Sequence, residues 1–221
     1  MPEIILGDGK TVDHLLEILR ALSERGAGAL VSRPTAAQLR ALRAFRAPKG
    51  SRSRLRFLAD GRVVRLSGPL GPTYRPGVVA ILTAGTSDVP LAEESRAVLS
   101  ELGIRVVRAY DVGVAGLHRL LSALRRTESR RPEVYLVFAG REGALPTVVA
   151  GLVRAPVVGV PTSFGYGRGG HGEAALSAML QSCAPLAVVN IDAAVPAALF
   201  AAQRFATSGP RRKSRAFGRG R

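Results

Sequence analysis

Two rhythms of apolar residues divide this chain. Over residues 1–70 the pattern is mixed. "VDHLLEILRALSER" (12–25) repeats its apolar positions every three or four residues, which predicts an amphipathic helix capped by Thr11 and stopped by Gly26. "GALVS" follows as a short strand. A second helix is predicted to open at "PTAAQLRALRAF", with Pro34 before it and Thr35 as its cap. "RLRFLADGRVVRL" alternates on either side of Asp60-Gly61, a strong hairpin signal. These elements make a small α/β unit. "SGPLGPTYRPG" (67–77), with three prolines and three glycines, reads as a linker, and its boundaries are drawn at 71–77.

From Val78 the rhythm becomes regular. Near-continuous apolar runs, "VVAILTA", "IRVVRAY", "EVYLVFAG", "APVVGVP" and "LAVVNID", are separated by helix-like stretches at 92–102, 115–126, 144–153 and 173–182. Valine-rich strands that do not alternate are covered on both faces, and strands interleaved with helices form a parallel sheet. The expected fold is α/β: a flavodoxin-like doubly wound parallel sheet of strand order 2-1-3-4-5 over 78–206, with the small N-terminal α/β domain before it. Residues 207–221, rich in Arg, Gly and Ser, are expected to form a disordered basic tail.

Composition narrows the class. Hydrophobic residues make up 47% of the 221, which is globular rather than disordered. No apolar run reaches the 18 or so residues of a spanning helix, and "MPEIILGDGK" has no basic leader, so a cytoplasmic protein without membrane attachment is expected. The single cysteine excludes an intramolecular disulfide framework and C-x-x-C metal pairs. The net charge of +16 suggests nucleic acid until it is located. Ten basic residues and one acid lie between Arg33 and Arg65, and seven and none lie from Arg204 onward, leaving fifteen of each sign elsewhere. The excess therefore belongs to the flanks. With 5% aromatic residues and no tryptophan besides, a nucleic-acid partner is not expected.

In doubly wound sheets the ligand crevice lies outside the carboxyl ends of the strands. Each unusual loop here follows a strand. Gly85, Thr86, Ser87 and Asp88 come after the first; Asp111, His118 and Arg119 after the second; Gly140 and Glu142 after the third. Ser163, Gly165, Tyr166 and Gly167 come after the fourth. Small residues admit close backbone approach, and hydroxyls with helix N-termini offer donors to phosphate. Neither glycine loop is a Walker A or dinucleotide fingerprint. Glu142 between Gly140 and Gly143 reads as a general base, or as an acid placed by the helix dipole. His118 reads equally as a structural histidine. Cys183, at a helix end before Pro185, reads on its own as a small buried hydrophobe.

Taken in order, "TAGTSDVPLAEE", "YDVGVAGLHRLL", "AGREGALPTVVAGLV", "VGVPTSFGYG", "SAMLQSCA" and "VVNID" resemble the LarB family. "PEIILGDGKT" matches that family's N-terminal region, and the likeness runs from Pro2 to about Ala202. The family in turn resembles the catalytic core of aminoimidazole ribonucleotide carboxylase. It departs at "NID", usually followed by Asn-Gly and here by Ala193 and Ala194. The resemblance implies carboxylation of nicotinic acid adenine dinucleotide at carbon five of its pyridinium ring. Cleavage of the phosphoanhydride is implied with it, giving pyridinium-3,5-biscarboxylic acid mononucleotide and AMP, the opening step of nickel-pincer cofactor biosynthesis. It also implies magnesium (its ligands unassigned), CO2 or bicarbonate as co-substrate, and a homo-oligomer, an octamer by the pattern of its relatives. The family's nucleophile and base fall on Cys183 and Glu142. In the other loops, Asp88 is expected to grip ribose hydroxyls or help place magnesium. Two rivals stand beside this reading: a purine-pathway aminoimidazole ribonucleotide carboxylase or mutase, which needs no cysteine, and a basic nucleic-acid-binding protein.

Overall fold

The computed structural model describes residues 2–71 and 73–207; most of the expected basic tail, from 208 on, lies outside the described residues. Two sheets organise the rest. The first has the order β1-β2-β4-β3. In it β1 (Ile4–Leu6) runs parallel to β2 (Ala29–Ser32), and β3 (Leu55–Leu58) forms a hairpin with β4 (Val63–Leu66). Helices α1 (Val12–Glu24) and α2 (Ala36–Ala44) cover one face, burying Leu15, Leu19 and Leu42 against Ile5, Val31 and Val64. Both predicted caps form. Thr11 accepts the His14 N–H at 3.2 Å, and Thr35 makes a reciprocal capping box with Gln38.

Two features of this unit differ from the sequence reading. The edge strand β1 was not predicted, since three residues are too few for alternation to register; its pairing with β2 holds it. The hairpin closes at Leu58 opposite Val63, so its loop has four residues rather than an Asp-Gly pair. Ala59, Asp60 and Gly61 are all left-handed in φ, and Ala59 packs against the core shared with the next helix.

The second sheet has the order β6-β5-β7-β8-β9, all parallel, which is the predicted 2-1-3-4-5. Its strands are β5 (Val78–Thr83), β6 (Arg105–Ala109), β7 (Val134–Ala139), β8 (Val157–Pro161) and β9 (Ala187–Val188). β5, β7 and β8 are buried at every position, as continuous valine-rich runs require. Helices α3 (Val89–Glu101) and α7 (Ala194–Gln203) cover one face, packing on Val79, Ile81, Leu136 and Phe138. Helices α4 (Leu117–Glu128), α5 (Ala144–Leu152) and α6 (Glu173–Leu180) cover the other, on Ala80, Leu82, Tyr135 and Val137. The fifth strand keeps only two paired residues. Beyond it the chain still tracks β8, with Asp192 N–H donating to the Pro161 carbonyl.

The two sheets share α3. Leu30 and Val63 on the second face of the first sheet join the core cluster that α3 and α7 build. Among the described residues no helix is long and apolar enough to cross a membrane.

Candidate active site

A cleft of about 410 Å³ opens at the carboxyl edge of the second sheet. It gathers Gly85, Ser87 and Asp88 after β5, Gly113 to Ala115 after β6, Gly140 to Glu142 after β7 and Phe164 after β8. A larger hollow of about 560 Å³ lies in the first unit around Ser23, Lys49 and Gly68, away from every strand-end loop. The strand-end cleft is the candidate because close backbone and titratable side chains meet there.

Asp88 fastens the floor of this cleft. It is buried, at 2% exposure. One carboxylate oxygen accepts the Thr162 hydroxyl at 2.6 Å, and the other accepts the Gly85 N–H at 2.9 Å. The Gly140 N–H also donates to it. One acid thereby ties together the ends of β5, β7 and β8. Burial pushes its carboxyl above the ordinary range, against the pull of those three hydrogen bonds, and the Asp192 charge adds to the rise. The sequence places this carboxylate on ribose hydroxyls or magnesium. Its oxygens are instead engaged within the chain, by partners that no local spacing reveals.

Gly140 shows how tightly the ends are drawn. A Cβ there would sit 2.1 Å from the Phe164 carbonyl oxygen and 2.8 Å from the Thr162 hydroxyl, so only glycine fits. We expect Asp88→Asn to lower unfolding stability by about 1–3 kcal/mol, because one amide group must face an N–H or O–H donor without accepting it. A denaturant midpoint shift checks this, and an unchanged midpoint would remove Asp88 from its bracing role.

The other predicted residues divide by position. Gly85, Ser87, Asp88, Gly140 and Glu142 line the cleft. Thr86 is exposed beside them in the same turn. Asp111, left-handed at φ 56, pairs with Arg119 at 3.3 Å near the start of α4; both are exposed, as is His118, and none of the three lines the cleft. The Ser163 N–H is held by the Asp192 carboxylate at 2.8 Å. Gly165, Tyr166 and Gly167 continue that loop, with Tyr166 at 76% exposure.

One charged residue of the cleft lies outside the sequence reading. Arg141, left-handed at φ 45, lies between Gly140 and Glu142, and its guanidinium stacks on the Tyr166 ring at 4.7 Å. It brings a cation to the cleft wall, suited to phosphate or carboxylate. Its signal was its place in the same glycine-bracketed loop as Glu142.

Cys183 is elsewhere. It is exposed, and follows α6 just before β9. A helix that connects two parallel strands starts at the carboxyl edge and ends at the amino edge, so the thiol lies beside the beginnings of β8 and β9. Its near neighbour Pro185 lines a hollow with Pro156, Val157 and Ala187 at that edge. Glu142 stands at the opposite edge, about 15 Å away along β8 at ~3.3 Å per residue. Within one chain the structure does not bring the two together.

Magnesium finds no ready cage. Among the described residues no three His, Cys, Asp or Glu side chains gather at one point, and Asp88 and Asp192 are both engaged by donors of the chain. The residues present do not fit a resident magnesium ion.

Known proteins bear on this geometry. The AIR carboxylase family model matches residues 78–216, and the LarB/PurE-like N-terminal domain model matches residues 1–63. This chain belongs to the LarB/PurE-like AIR carboxylase family. An uncharacterised protein of Methanocaldococcus jannaschii is 37% identical over 91% of this chain and 77% of its own. The N5-carboxyaminoimidazole ribonucleotide mutase of Pyrococcus horikoshii is 32% identical over 56% of this chain and 70% of its own. The solved structure of Treponema denticola PurE is 28% identical with a TM-score of 0.47, over 59% of this chain and 80% of that one. Membership places the chain among carboxylase and mutase enzymes. The carboxylase match runs to residue 216, beyond the end that the sequence motifs suggested.

Proposed function

We propose that this protein carboxylates nicotinic acid adenine dinucleotide at pyridinium carbon five and cleaves its phosphoanhydride, giving pyridinium-3,5-biscarboxylic acid mononucleotide and AMP. The observation that carries the reading is the extent of the likeness. The mutase relative matches 56% of the chain, whereas the N-terminal 63 residues match the LarB/PurE-like domain. Cys183 supports it from chemistry. The purine substrate is an electron-rich enamine that attacks CO2 unaided, but a pyridinium ring is electron-poor and does not.

The reaction needs a nucleophile and a base. A thiolate of Cys183 adds to carbon four, forming a C–S bond and leaving an enamine whose carbon five is nucleophilic. Carbon five attacks CO2, supplied as such or from bicarbonate, and a C–C bond forms. Glu142 takes the proton from carbon five. Expulsion of the thiolate then breaks the C–S bond and restores the aromatic ring. Water closes the second half by cleaving the phosphoanhydride. Ser87 receives phosphate or ribose beside the small Gly85 and Gly140, and Arg141 faces the negative charge. No step is assigned to magnesium.

Because the thiol and Glu142 occupy opposite edges of one sheet, the reacting pair forms between two copies of the chain. One copy presents its cleft edge, with Phe164 and Tyr166 exposed at 44% and 76%. Its neighbour presents the Cys183 edge, where Leu180 stands exposed at 65%. Contact of unlike edges is heterologous, and a rotation that closes it makes a ring. This reading accounts for a catalytic cysteine at a helix end far from its base.

The test offers the protein nicotinic acid adenine dinucleotide or aminoimidazole ribonucleotide, each with bicarbonate and magnesium, and reads the products by mass spectrometry. The proposal expects the carboxylated mononucleotide and AMP from the first. Turnover of the purine precursor alone would overturn it in favour of the mutase or carboxylase reading.

A further inference from the structure

We propose that Arg33, in the N-terminal unit, is a positioning residue for the loop after β8. The inference rests on the reading that the cleft receives substrate, since Phe164 of this loop is part of its lining. It gives the N-terminal unit a task that the reaction itself does not supply.

The argument begins at Glu94, a carboxylate on α3 with no solvent exposure. A buried charge persists only when donors surround it. Three come from the first sheet and its hairpin. The Ser32 hydroxyl donates at 2.6 Å, Arg33 Nε at 3.0 and 3.1 Å to the two oxygens, and Arg62 at 3.3 Å. Glu94 thus fixes the guanidinium of Arg33, whose far nitrogen donates to the Asp192 carbonyl. The Asp192 side chain in turn accepts the Ser163 N–H at 2.8 Å. Ser163 follows Thr162, the residue that donates to Asp88 on the cleft floor. A continuous line of contacts therefore runs from the first sheet to the substrate loop.

Backbone conformation marks the same two joints. Arg33 and Asp192 are left-handed, with φ of 49° and 57°. Non-glycine residues hold that conformation only where their surroundings over-determine it. The side chain must also be arginine. Its planar fork grips Glu94 with Nε while a terminal nitrogen reaches Asp192, and a lysine ammonium is a single point that cannot do both. A second tie between the units, Arg56 to Glu101, joins the far end of α3 and does not touch the loop.

Amide hydrogen exchange over residues 162–167 tests the proposal in the full-length protein without substrate, beside KM and kcat for the dinucleotide. In Arg33→Lys, exchange at Ser163 is expected to quicken on the order of tenfold, the loss of one charge-assisted bond. KM is expected to rise with it, while kcat changes far less. Arg56→Gln serves as the control and is expected to leave both unchanged. Unaltered exchange in a folded Arg33→Lys protein would overturn the proposal. So would an equal response in Arg56→Gln, which would reduce Arg33 to general domain attachment. The exchange result stands even if the dinucleotide is not turned over, so failure of the proposed reaction and failure of this link are read separately.

Discussion

Cys183→Ser is expected to keep its fold and bind the dinucleotide, yet lose carboxylation by ~10²-fold or more. The thiol is exposed and packs into no core, so replacing sulfur by oxygen leaves the protein's stability nearly unchanged. Chemistry makes the difference. Addition to an electron-poor ring needs a soft anionic nucleophile. Sulfur forms a thiolate far more readily than serine forms an alkoxide, which is inaccessible at neutral pH. The cationic ring is what favours the thiolate once bound. Intact mass after incubation with the dinucleotide is expected to show an adduct on the wild type and none on the variant. Turnover in the variant above about a tenth of wild type would refute the covalent route.

Glu142→Gln is the second large effect. The residue is exposed at the cleft, on the loop that Gly143 turns into α5. An amide keeps the shape but cannot take the proton from carbon five, and carboxylation is expected to fall ~10²–10⁴-fold. Stability changes by no more than the loss of one acid near a helix start, about 0.3–1 kcal/mol. The thiol–ring adduct is expected to form still, because addition precedes proton removal. Near-normal carboxylation would move the base elsewhere. Asp88 is then a poor replacement, being held by Thr162 and Gly85, and His118 stands exposed outside the cleft.

Much of the fold was legible because its signals are local or regular. Valine-rich runs between helical stretches gave the parallel sheet and its order, and Thr11 and Thr35 announced their helices. What escaped depends on distant partners. The role of Asp88 needs Thr162, 74 residues away, and that of Glu94 needs Ser32, 62 residues away; no window of sequence holds either pair. Strand β1 is too short to alternate. The position of Cys183 is a different case. Once helix α6 is set between two parallel strands, its end must lie at the edge opposite the cleft, so the separation from Glu142 follows from topology. The motifs list both residues without saying which edge each one serves.

The central claim is that the reaction takes its thiol from one copy and its base from another. Co-expressing Cys183→Ser with Glu142→Gln in equal amounts tests it most directly, with carboxylation of nicotinic acid adenine dinucleotide read by mass spectrometry. Each variant alone is inactive on this account. In randomly mixed assemblies, a site is complete when the Cys183→Ser copy supplies Glu142 and its Glu142→Gln neighbour supplies the thiol. The account predicts recovery to about a quarter of the wild-type rate. Assemblies that are mixed and folded yet no more active than the separate variants would contradict it, and would require both groups to act within a single chain.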